Sequence, residues 1–183
     1  MIVAVVATGL VAAAASWWFR YSATHRAAQF WGPAAARLIR DAPNVRLIQF
    51  DPSPGGQVEL GGVSVFDLPD GVPGARSWQI AVDRDISATP GLTHLRHALL
   101  EDQNFTWPAS DEPPAVEWTT QLQFHAGAEA DAESVTILFS LDYHWLVAAA
   151  GEGAMGPAVS CRPIATGLRE MFEPLAAGAE SPR

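Results

Sequence analysis

Residues Ile2 to Phe19, IVAVVATGLVAAAASWWF, carry no charge, and Arg20 follows at once. No other feature restricts the chain as much. At a rise of ~1.5 Å per residue the run reaches roughly 27 Å, the thickness of a thin hydrocarbon core. The sequence therefore predicts a transmembrane helix over residues 1–20. Trp17, Trp18 and Phe19 then fall among the headgroups, where amphipathic rings partition. Two other readings compete. A cleaved signal peptide would use Ala13-Ala14-Ala15 before Ser16 as its small-residue site, but the basic region that normally precedes the apolar run is missing. A buried core helix would have to end in two adjacent Trp followed by Arg, a poor end for a core element.

Charge orients the span. After it come Arg20, Arg26, Arg37 and Arg40, with Asp41 the first acid. Basic flanks stay cytoplasmic, so the N-terminus is expected outside and the following domain in the cytoplasm. Residues 1–50 hold five Arg against one acid; residues 51–183 hold six Arg against nineteen acids. The basic collar suits anionic lipid or an acidic partner, while the acidic body is repelled from such a surface.

The net charge of −9 argues against nucleic acid as a partner, because phosphate binding needs clustered cations. All 11 basic residues are Arg. The missing lysine excludes a Walker-type phosphate loop, a pyridoxal Schiff base, a kinase catalytic Lys and any Lys nucleophile. The single cysteine, Cys161, forbids an intrachain disulfide, and its surroundings read as a buried strand position rather than a reactive thiol.

Patterning along the rest of the chain predicts an α+β fold: a mainly antiparallel sheet with two to three helices, preceded by the transmembrane helix. Residues 21–43 read as a juxtamembrane helical segment broken at Gly32-Pro33, with Phe30 and Trp31 placed to touch lipid or a neighbouring helix. Residues 44–183 read as the domain. Val45 to Phe50 is its first strand. Val58 to Val65 around Gly61-Gly62 reads as a hairpin. Trp78, Ile80 and Val82 share the inward face of a strand. Thr89 is the expected N-cap of a helix with Pro90 at its first position and Leu92, Leu95 and Leu99 inward. Residues 104–114 read as a Pro-rich loop. Val116, Trp118, Thr120, Leu122 and Phe124 are expected on one face of a strand, and Val135, Ile137, Phe139 and Leu141 on the inward face of its hairpin partner. Tyr143 to Val147 and Val159 to Pro163 read as further strands, and Thr166 as the cap of a last helix burying Leu168, Met171, Phe172 and Leu175.

The groups able to carry chemistry are few. His94 and His97 share a helix face and could ligate a metal, but a third ligand is remote and Arg96 between them repels a cation. Asp83 and Asp85, and Glu101 and Asp102, are carboxylate pairs that read as solvated. Ser160, Cys161 and His144 form a triad only on paper. No cofactor is expected.

The sequence points to a non-enzymatic, membrane-anchored accessory subunit bracing a larger integral-membrane complex, a respiratory or photosynthetic assembly being the kind of host in view. Its interface with bilayer and partner is expected at Trp17, Trp18, Phe19, Arg20, Arg26, Phe30, Trp31, Arg37 and Arg40. The acidic stretch 125–134 is expected to stay solvated. The alternatives are a membrane-tethered enzyme or ligand-binding domain, whose pocket would be lined by His94, His97, His125 or His144, and an exported protein with its first 15 residues removed.

Overall fold

The structure, a computed structural model, describes residues 2–51, 79–112, 114–127, 132–149 and 155–177; for residues 2–8, 10, 17, 19–22, 51, 79, 149, 155 and 177 it describes the backbone alone. The expected hairpin at 58–65 and Trp78 lie outside the described residues.

The fold is α+β. Helix α1 (Ile2–Asp41) is followed by strands β1 (Asn44–Asp51) and β2 (Gln79–Asp85), helix α2 (Leu92–Leu100), strands β3 (Thr106–Ser110), β4 (Trp118–His125), β5 (Ser134–Ser140), β6 (Trp145–Ala149) and β7 (Met155–Ser160), and helix α3 (Ala165–Ala177). The strands form one seven-stranded antiparallel sheet in the order β2-β1-β4-β5-β6-β7-β3. From β4 to β7 the chain simply meanders, so the centre of the sheet is built from sequence neighbours.

One face of the sheet carries the main core. Leu47, Leu122, Phe124, Ile137, Phe139 and Leu146 bury there against Leu38 and Ile39 of α1, Leu92, Leu95 and Leu99 of α2, and Leu168 and Phe172 of α3. Phe139 and Phe172 meet edge to face at 5.9 Å between centroids, a favoured aromatic geometry. The other face holds a smaller cluster of Trp118, Leu138, Val147 and Ala158.

Helix α1 is two segments joined at Gly32, whose φ of 72° and ψ of 165° are non-helical. Only glycine adopts that backbone cheaply, and Pro33 cannot supply the N–H that continuation requires. From Ala27 onward α1 packs into the core of the domain. Trp31 is 6% exposed, and its indole N–H donates to Leu99 O at 2.6 Å. Arg96 of α2 donates to Arg40 O and Ala42 O at 2.7 and 2.6 Å, satisfying carbonyls that the end of α1 leaves open. Asp102 accepts from the backbone N–H groups of Arg26 and Ala27 at 3.0 and 2.7 Å.

Several expectations fail for local physical reasons. The register of β4 on β5 shifts between Trp118 and Thr120. That bulge sends Trp118 to the smaller cluster, away from Thr120, Leu122 and Phe124. Strand β5 stops at Ser140, and Leu141 is 54% exposed at the following turn. The stretch 104–114 contains β3, whose Pro108 is tolerated because an edge strand pairs on one side only. Helix α2 starts after Gly91 (φ 92°) with no side-chain cap, so Thr89 does not cap it. Helix α3 starts at Ala165 through a 3-10 turn over Arg162–Ile164, which places Thr166 inside the helix.

Candidate functional site

Of the nine residues expected at a membrane or partner interface, Trp17, Phe19 and Arg20 have side chains outside the described set. Trp18 is 65% exposed and Val11 69%. Gly9 and Ala12 to Ser16 are exposed as well. Arg26 and Arg40 are exposed, and Arg37 pairs with Glu133 at 2.6 Å across an exposed contact. Phe30 is half-buried, edge to face with Trp31 at 4.8 Å and Trp107 at 5.9 Å. Trp31 is a core residue and gives no surface. Glu133 at the end of the acidic stretch is exposed while it pairs with Arg37 of α1. Among the described residues no helix is long and apolar enough to cross a membrane.

The carboxylates with latent chemistry are engaged in structural contacts. Asp83 forms a two-pronged ion pair with Arg46. Asp85 accepts from the Ser87 N–H at 2.8 Å, and Ser87 holds its carboxyl below the usual carboxylate range. Glu101 accepts from Gln103 and Asn104. His94 and His97 are exposed, and among the described residues no three His, Cys, Asp or Glu side chains converge as a metal site. His97 lines a notch of about 300 Å³ with Arg40 and Arg96, but Arg96 already serves as the cap of α1.

A larger cleft, of about 560 Å³, opens where β1, β2 and β4 meet α3. The sequence gives no direct sign of it, because its walls come from four elements far apart in the chain. Thr119, Thr120 and Tyr143 are its buried polar lining, and Val82 its buried apolar lining. Gln49 and Phe50 are half-buried, whereas Leu141 and Glu173 stand exposed at the mouth. Thr120 donates to the Tyr143 hydroxyl at 3.4 Å. Burial pushes the Tyr143 phenol above its ordinary value, with Thr120 pulling the other way.

The turn after β5 aims Tyr143 into this cleft. Tyr143 sits at φ 59°, a left-handed conformation that bulky residues rarely adopt. The turn fixes it from all sides. Tyr143 N–H donates to Ser140 O at 2.9 Å. Ser140 Oγ donates to Asp142 Oδ1 at 2.6 Å and accepts from the Trp145 N–H at 3.0 Å. Asp142 also accepts from the His144 N–H at 3.0 Å and faces His144 Nδ1 at 2.8 Å. Burial raises the Asp142 carboxyl, but the Ser140 hydroxyl, the His144 N–H and the His144 charge leave it below its ordinary value. Cys161 Sγ donates to Tyr143 O at 3.1 Å. Burial pushes its thiol up to about 12, which leaves it a thiol rather than a nucleophilic thiolate. It is buried as expected, although it lies just past β7. Ser140, Asp142 and His144 resemble a triad in composition only: the serine hydroxyl donates to the aspartate instead of reaching the imidazole.

No protein-family model matches this chain, and neither a curated protein nor a solved structure is significantly similar to it.

Proposed function

We propose that this protein is a membrane-anchored, non-catalytic accessory subunit, tethered by the front of α1 and bracing a larger integral-membrane complex through its α+β domain. The observation that carries the reading is the contrast within α1. Past Ala27 the helix is locked into the domain core; before it, every residue whose side-chain exposure is described between Gly9 and Trp18 is exposed. An exposed apolar helix on a well-packed domain calls for another apolar environment. The small residues Gly9 and Ala12 to Ala15 also suit close approach by a second helix.

In this reading the N-terminus lies outside and the domain in the cytoplasm, with Arg20, Arg26, Arg37 and Arg40 at the membrane surface. The chemistry within the domain supports a bracing role. Its carboxylate pairs, its thiol and its Asp–His pair are occupied in contacts within the fold. Alkaline extraction of native membranes tests the anchor. The protein should stay in the pellet, and the double substitution Val11→Asp, Trp18→Asp should move it to the supernatant with its fold intact. Wild-type protein in the supernatant, or an intact mass lacking the first 15 residues, defeats the reading.

A further inference from the structure

We infer that the cleft between β1, β2, β4 and α3 binds a small uncharged amphiphile: a compact apolar ring or chain bearing one hydroxyl or carbonyl group.

Three departures from regular backbone converge on this one place. The register of β1 on β2 shifts between Gln49 and Phe50, and that of β4 on β5 between Trp118 and Thr120. Tyr143 holds a left-handed φ of 59°. Gln49, Phe50, Thr119, Thr120 and Tyr143 all line the cleft. Bulges re-aim side chains, and strained residues persist where the surroundings over-determine them; both gather at binding sites. The bulge in β4 has a direct consequence. Regular alternation would put Thr119 and Thr120 on opposite faces, yet here both reach the cleft.

The lining chooses the ligand. Thr119 is 6% exposed, and among the described residues its hydroxyl has no partner. A buried hydroxyl left alone is costly, and a ligand oxygen would satisfy it. The neighbouring polar groups, Thr120 and Tyr143, are neutral. Among the described residues no cation lines the cleft, and Arg169 at its mouth is paired with Glu173, so a carboxylate or phosphate finds no free counter-charge within. Its one acid, Glu173, stands at the exposed mouth near Arg169 at 3.6 Å. The apolar share comes from Val82 within and Leu141 at the opening, where a bound ring would cover the exposed leucine. The volume falls in the range of small-molecule sites, roughly 300–1,000 Å³.

The probe is 4-fluorophenol, followed by fluorine NMR line broadening with the full chain in micelles. Saturable broadening is expected with wild type. Ala81→Trp, at an exposed lining position on β2, should abolish it; Ala176→Phe closes the cleft from α3 and should do the same if the first variant folds poorly. Thr119→Val, which keeps the shape and removes the hydroxyl, should weaken binding roughly tenfold. 4-Fluorobenzoate should show no saturable binding. Absence of saturable phenol binding, unchanged affinity in folded Ala81→Trp and Ala176→Phe, or equal binding of the benzoate overturns the proposal.

Discussion

Residues 9–18 and residues 27–41 both belong to α1 and both are rich in apolar and small residues, yet their surroundings are opposite. The second stretch is bonded to the domain at every opportunity. Asp102 accepts from the N–H groups of Arg26 and Ala27 where the stretch begins, Leu99 takes the Trp31 indole, and Arg96 takes the carbonyls at its end. The first stretch shows no buried residue among those whose side chains are described. Composition therefore says that a helix is apolar; partners elsewhere in the chain decide whether its apolar face is used up. The stretch from Glu101 to Trp107 is the decisive partner here, since Trp107 also donates to Asp102 O at 3.0 Å.

Removing the core side of the contrast has the largest expected effect. Trp31→Ala should cost about 3–5 kcal/mol of unfolding free energy, read by denaturant titration in micelles. Trp18→Ala should change stability by less than about 0.5 kcal/mol while reducing membrane retention. Equal stability losses in the two variants would erase the distinction between the halves. Next comes Gly32→Ala. Nothing crowds a Cβ there, so the backbone at φ 72°, ψ 165° is the whole cause, and a cost of about 1–3 kcal/mol is expected. Asp102→Ala should cost ~1–2 kcal/mol and speed amide exchange at Arg26 and Ala27 specifically; uniform exchange along α1 would show that the contact is not local. The smallest effect is at the Arg37–Glu133 pair. Both side chains are largely exposed, so Arg37→Gln should cost under about 1 kcal/mol and nothing measurable in high salt.

The turn that aims Tyr143 makes a separate pH prediction. The folded Asp142 carboxyl is depressed. Its stabilising contribution is therefore complete above the usual carboxylate range and disappears as pH falls through the lower folded value. Asp142→Asn should flatten the acid limb of the stability profile. An unchanged acid limb would mean that this carboxylate does not sense folding.

The sheet and the embedded helices were legible because they repeat. Leu92, Leu95 and Leu99 obey the helical period, and Leu122, Phe124, Ile137 and Phe139 obey the strand period. The misplacements fall where a single residue breaks the period. The bulge before Thr120 moved Trp118 across the sheet, and the end of β5 at Ser140 left Leu141 outside. Trp31 was misread because its placement depends on Leu99, 68 positions away. The cleft was illegible for the same reason: no local pattern announces that Gln49, Thr119 and Tyr143 meet. The chemical residues were visible as types, but their employment was not. His144 pairs with Asp142 and Cys161 donates to the Tyr143 carbonyl, which only the folded turn reveals.

Purification of the native protein in mild detergent, with its size and its companions read together, tests the central claim most directly. The account predicts that it elutes with an integral-membrane assembly and that Val11→Asp, Trp18→Asp separates the folded domain from it. A wild-type protein that elutes as a lone monomer, or a double variant that stays with the assembly, would contradict it.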